Sequence, residues 1–198
     1  MNGSISGKDA EGAKMARCDD DGLAAAAEVL CGGGVAVIPT DTVYGLAAHP
    51  GFPEAVERLY AIKGREARKP VALLAADADA VARFGFPLSG EAAALARLWP
   101  GALTVVVSNG TAIEGFRVPD HEWTRRLLAK CGGVLRVTSA NLSGRRDATD
   151  APATLAAVGL SADIVVDGGT SPGGVPSTVA RVSADGSVEI LRQGAVRI

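Results

Sequence analysis

Four short segments hold the residue types that could do chemistry. The first, Pro39-Thr40-Asp41-Thr42-Val43-Tyr44-Gly45-Leu46, gathers three hydroxyls and a carboxylate. They read either as donors and acceptors for a hydroxylated or amino-acid ligand, or as a polar turn bonding its own backbone. The second, Lys63-Gly64-Arg65-Glu66-Ala67-Arg68-Lys69-Pro70, sets four cations against one acid. A charge run is commonly a solvated surface. Here Gly64 and Pro70 bracket it, and lysine point charges beside arginine forks suit a polyphosphate. The third, Thr138-Ser139-Ala140-Asn141-Leu142-Ser143-Gly144, follows an apolar run. Its Ser-x-Asn makes an Asx-type turn or binds ribose and phosphate oxygens. The fourth is Pro176-Ser177-Thr178-Val179-Ala180. Arg117 and Arg192 belong with these segments, although a single arginine is more often a surface ion-pair partner.

Several chemistries are excluded. No GxxxxGK[ST] loop and no GxGxxG after a strand occurs, so P-loop and dinucleotide readings fail. The histidines are His49 and His121, and no GxSxG surrounds Ser139, which argues against nucleophilic serine catalysis. Cys18, Cys31 and Cys131 form no CxxC pair, so neither a disulfide framework nor a zinc site is expected, and a reducing cytosol is the default. The net charge of −2 does not suit a bulk nucleic-acid binder. The 20 basic residues are nevertheless mostly arginine, 15 against 5 lysines, a bias that a GC-rich genome also produces. No apolar stretch approaches the roughly 20 residues of a membrane span. Met1 to Asp21 lacks an apolar signal core.

The elements that must position these segments alternate. Residues 1–17 are expected to be a flexible N-terminal tail. Asp19 to Asp21 can cap a helix bearing Leu23, Ala26, Ala27 and Leu30, which the glycines from Gly32 stop. Strands are expected at Val35–Ile38, Val71–Leu74, Leu103–Val107, Phe116–Val118, Val134–Thr138, Asp163–Val166, Ser177–Val182 and Val188–Leu191. Helices are expected at Pro53–Ile62, Asp77–Phe84, Ser89–Leu98, His121–Lys130 with Asp120 as cap, and Pro152–Val158. This is an α/β domain with a mixed sheet. The four segments fall at strand ends, where open α/β sheets bind ligands.

PTDTVYGL, KGR followed by KP, WPGALT, RVPDH, SANLSG, PSTV and ILRQG stand in this order. In this ordered set the chain, from about Ala24 to Ile198, closely resembles the YrdC/TsaC family, the threonylcarbamoyl-AMP synthases. The resemblance implies a twisted mixed open sheet flanked by helices, with a basic concave face, and makes residues 18–198 a single catalytic domain. It implies a cytoplasmic nucleotidyltransferase that converts L-threonine, bicarbonate and ATP to threonylcarbamoyl-AMP and pyrophosphate. Proteins downstream then transfer the threonylcarbamoyl group to the adenosine beside a tRNA anticodon. Mg2+ is an implied helper, and contact with tRNA or double-stranded RNA is a further expectation.

By the same resemblance Lys63 and Arg65 are catalytic, touching ATP phosphates and the carbamate. Arg65, Lys69, Asn141, Thr149 and Arg192 take ATP. Thr42, Arg117, Ser139 and Ser177 take threonine. No protein-bound metal is implied. Lys63 and Arg65 are expected to lie off the core, so that removing either spares stability. Two positions depart from the pattern. Leu74 stands where longer relatives often carry a threonine-side histidine, and Glu66 replaces a common proline. The alternative readings are a YrdC-like paralogue that binds nucleotide or RNA without this activity, or one that forms a carbamoyl-adenylate.

Overall fold

The computed structural model describes residues 13–64, 70–144, 148–158, 161–172 and 174–198. The chain runs β1 (Lys14–Arg17), α1 (Asp20–Cys31), β2 (Val35–Ile38), β3 (Gly45–Ala48), α2 (Pro53–Lys63), β4 (Leu73–Ala75), α3 (Ala78–Arg83) and α4 (Gly90–Ala96). It continues β5 (Leu103–Ser108), β6 (Ile113–Arg117), α5 (Glu122–Lys130), β7 (Val134–Ser139), α6 (Ala151–Ala157), β8 (Ile164–Asp167), β9 (Thr178–Val182) and β10 (Val188–Arg192). The strands form one mixed sheet in the order β1-β8-β2-β3-β7-β4-β6-β5-β9-β10.

Helix ends follow local chemistry. Asp19 caps α1 by accepting from Gly22 N, Asp77 caps α3 and Asp150 caps α6. Pro53 opens α2, and Gly64 closes it at φ 59, the left-handed conformation glycine adopts without strain. At α5 the cap is His121, not Asp120: the His121 side chain accepts from Thr124 N. Its imidazole does the work expected of the neighbouring carboxylate.

Two expectations about strands are corrected. Lys14–Arg17, assigned to the tail, is a strand paired in parallel with β8, from Lys14 opposite Ile164 to Arg17 opposite Asp167. Its sequence carries no strand signal. What holds it is the row of backbone groups that β8 would otherwise leave open at the sheet edge. Residues 1–12 lie outside the described residues. Strand β3 was not expected at all, because Gly-Leu-Ala-Ala lacks β-branched residues. It runs antiparallel between β2 and β7, and all four of its residues are buried. A Cβ on Gly45 would lie 2.5 Å from Val137 Cγ1, so close strand packing selects glycine there.

Two cores flank the sheet. One packs helices α1, α3, α4 and α5 through residues such as Leu30, Val81, Ala92 and Leu127. The other packs α2 and α6 onto β8, β2 and β3 through Leu59, Ala151, Val165, Val37 and Leu46. Beyond β7 the second face is open. On β5, Leu103, Val105 and Val107 enter the core, while Thr104 and Val106 turn to a cavity, the period-two alternation of a half-covered strand. Among the described residues no helix is long and apolar enough to cross a membrane.

Candidate functional site

The open face forms a cavity of about 470 Å³, a size that takes a small ligand. Residues from the seven successive strands β3 to β10 of the sheet order, and from the flanking loops, wall it. Thr40, Arg117, Ser139, Thr104, Ser177 and Arg192 supply the polar wall, while Val106, Ile113, Val179 and Leu191 supply an apolar one. Arg181 adds a third guanidinium on the lining.

Arg117 ends β6 and is 6% exposed. Its Nε donates to Gly101 O at 2.9 Å, Nη1 to Thr42 Oγ1 at 2.9 Å and Nη2 to Asp41 Oδ1 at 2.5 Å. Burial holds this guanidinium below its ordinary pKa. Asp41 opposes that effect, and the nearby Arg192 adds to it.

A proton count fixes the direction of the neighbouring bonds. Thr40 Oγ1 donates to Val43 O at 2.6 Å. The 3.1 Å contact between Thr40 Oγ1 and Thr42 Oγ1 is therefore donated by Thr42. The chain runs Arg117 to Thr42 to Thr40 to Val43, and each hydroxyl hydrogen is used. Ser139 Oγ likewise donates to Asn141 Oδ1 at 2.8 Å and accepts from Lys63 Nζ, leaving one lone pair as its offering.

Lys63 is 3% exposed, and its ammonium donates to Ser139 O and Asn141 Oδ1, each at 2.5 Å, and to Ser139 Oγ at 3.0 Å. It binds the last residue of α2 to the turn that follows β7. At the other end of the cavity, Arg192 Nη2 and Nε grip Ser177 O at 2.7 and 3.1 Å. Ser177 Oγ meets Thr104 Oγ1 at 2.8 Å. Tyr44 OH donates to Gly169 O and accepts from Gly168 N, and Gly174 N donates to Thr42 O. The glycine loop between β8 and β9 is thus tied to the Thr40–Tyr44 segment. Burial raises the Tyr44 pKa, which keeps its phenol protonated for this tie.

The family model described as telomere recombination, for Sua5/YciO/YrdC proteins, matches residues 28–194. The chain belongs to the Sua5/YciO/YrdC family. A Bacillus subtilis (strain 168) relative named threonylcarbamoyl-AMP synthase is 33% identical over 190 residues, spanning 90% of this chain and 55% of that one. A relative of the same name from Halorhodospira halophila is 38% identical over 154 residues, spanning 72% of this chain and 81% of that one. The structure of P. abyssi Sua5 complexed with L-threonine superposes with a TM-score of 0.82 at 29% identity, covering 91% of this chain and 56% of that one. The chain therefore spans little more than half the length of the B. subtilis and P. abyssi relatives. The E. coli YciO structure shares the fold, with a TM-score of 0.79 at 23% identity.

Of the residues expected in this Sua5/YciO/YrdC site, Arg117, Ser139, Ser177 and Arg192 line the cavity. Thr42, Lys63 and Asn141 stand behind its wall, 4%, 3% and 5% exposed, and brace it. Lys63 is therefore not the surface clamp that was expected. It sits in the fold, where its ammonium donates to both oxygens of the turn. Thr149 is off the lining, and its carbonyl accepts from Ser171 N at 2.7 Å. Arg65 and Lys69 lie outside the described residues. Sequence reading gave no role to Thr104, and gave Thr40 and Asp41 only a share in the first segment's donors and acceptors, without a specific partner. Thr104 was findable, since it alternates with core residues on β5. Leu74 lines the cavity in register with Arg117, so the departure from the family pattern falls on the site itself.

Proposed function

We propose that the chain synthesises L-threonylcarbamoyl-AMP from L-threonine, bicarbonate and ATP, as a nucleotidyltransferase releasing pyrophosphate. The observation that carries this reading is Arg117, a buried guanidinium on a cavity wall, ringed by Thr40, Ser139 and Ser177. That arrangement suits a small hydroxylated amino acid: the fork takes its carboxylate, and the lone pair that Ser139 Oγ keeps beyond Lys63 accepts from its ammonium or hydroxyl. Thr40 Oγ1 is filled by Thr42 N and Thr42 Oγ1. The names of the relatives, and a threonine-bound P. abyssi Sua5, point the same way.

In this reading the threonine amine adds carbon dioxide without a protein nucleophile. The carbamate oxygen then attacks the α-phosphorus, displacing pyrophosphate. The protein positions the reactants and offsets charge. Arg192, held against Ser177, faces the anionic partner, with Arg65 and Lys69 assigned to the phosphates. Lys63 orients Ser139 and Asn141. Among the described residues no group of three or more His, Cys, Asp or Glu could hold a metal, so Mg2+ would arrive on the triphosphate. The product would feed modification of the adenosine beside a tRNA anticodon by other proteins, in the cytoplasm. Contact with tRNA or double-stranded RNA belongs to the same proposal. Residues 18–198 would form the catalytic domain.

The test is pyrophosphate release by purified protein given ATP, Mg2+, bicarbonate and L-threonine. Release that depends on threonine is expected. Threonine-independent release would favour a carbamoyl-adenylate, and no release a paralogue without the activity.

A further inference from the structure

Asp41 is a carboxylate that the proposed reaction leaves without a task. It adjoins the cavity, yet its oxygen points at protein: Oδ1 accepts from Arg117 Nη2 at 2.5 Å, with both side chains largely buried. A guanidinium has five N–H donors. Gly101 O, Thr42 and Asp41 engage one each on Nε, Nη1 and Nη2. Those bonds leave one N–H on each terminal nitrogen. Two such N–H groups on adjacent nitrogens match the two oxygens of one carboxylate.

Charge adds a second consideration. Arg117 and Arg192 both line the cavity, and the two cations are close enough to interact. Two guanidiniums on one cavity wall make a good seat for a phosphate dianion. A site that handles ATP and releases pyrophosphate is surrounded by such competitors. Binding the right anion then requires rejecting the wrong one, and a fixed carboxylate beside the fork does this by repulsion.

We propose that Asp41 is the positioning and charge-selecting residue of the amino-acid subsite: it aims the Arg117 fork into the cavity and offsets part of its charge, so that the subsite takes a monocarboxylate and refuses phosphate. The identity of the carboxylate as threonine's, and the presence of competing phosphates, rest on the synthase reading. Asp41 touches no reacting atom and acts through Arg117.

Asp41→Asn separates the two roles, since it keeps an acceptor for Nη2 and removes the charge. The experiment is calorimetric titration of the full chain with inorganic phosphate and, separately, with L-threonine. Asp41→Asn is expected to bind one more phosphate per chain than the unsubstituted protein. That extra phosphate should vanish in Asp41→Asn/Arg117→Ala. Threonine affinity should change less than about tenfold in Asp41→Asn, because the amide oxygen still holds Nη2 and only the charge is lost. A merely structural role would create no new anion site. Asp41→Glu keeps the charge but displaces the fork. It should therefore weaken threonine binding while still refusing phosphate, and it serves as well if Asp41→Asn fails to fold. Unchanged phosphate stoichiometry in Asp41→Asn, or phosphate gained by Asp41→Glu, would overturn the proposal. Failure of the synthase reading shows elsewhere, as no threonine-dependent pyrophosphate release by the unsubstituted protein, and leaves the phosphate comparison decisive for Asp41.

Discussion

Lys63 Nζ lies 2.5 Å from Asn141 Oδ1 and 2.5 Å from Ser139 O, so the first cation of the basic segment is engaged with the Ser-x-Asn turn. Its ammonium holds the Ser139 and Asn141 side chains in place. Residues 78 positions apart are joined by this one ammonium.

Substituting Lys63 is therefore expected to cost stability as well as activity. Lys63→Ala removes two charge-assisted hydrogen bonds from a buried turn, each worth roughly 1.5–3 kcal/mol, while Ser139 O still accepts from Asn141 N and Asn141 Oδ1 from Ser139 Oγ. A loss of about 2–4 kcal/mol is expected, seen as a lower urea midpoint at unchanged slope. A midpoint equal to that of the unsubstituted protein, with activity lost, would restore the picture of a surface clamp.

Gly45 and Val137 form a second coupled pair. Gly45→Ala should destabilise by about 1–3 kcal/mol through overpacking, because its Cβ would sit 2.5 Å from Val137 Cγ1. Adding Val137→Ala makes room. The double variant should recover a good part of the loss, giving a coupling energy of about 1 kcal/mol in a double-mutant cycle. Simple additivity would show that β3 and β7 do not meet as described.

His121 should confer a pH dependence. Burial lowers its pKa, outweighing the nearby Asp41 and Asp120, which raise it. The folded state thus binds its proton less readily than the unfolded chain, whose histidine titrates near 6.5. Stability from this group is full above that value and is lost as pH falls through it, because the unfolded state protonates first. The fall in Tm between pH 7.5 and 5.5 should shrink in His121→Asn, which keeps a helix-capping side chain. An identical fall in both proteins would remove His121 from the account.

Local features were legible in the chain itself. Asp19, Asp77 and Asp150 mark helix starts, Pro53 and Gly64 bound α2, and Val35–Ile38 reads as a buried strand, because each signal acts within a few residues. The ordered motifs were equally plain, and the family follows from them. What the chain could not display is which members of a motif face the cavity. Thr40 lines it and Thr42 braces it, and Ser139 lines it while Asn141 and Lys63 lie behind. Those assignments depend on partners 75 to 78 positions away, brought together by a sheet order that interleaves early and late strands. Strand β3 escaped notice for the same reason: its glycine and alanines are chosen by the close neighbours β2 and β7, not by intrinsic preference. Composition and spacing thus settle which residues are available for chemistry. Hydrogen-bond inventories closed across the tertiary structure decide which of them still have a donor or a lone pair to give.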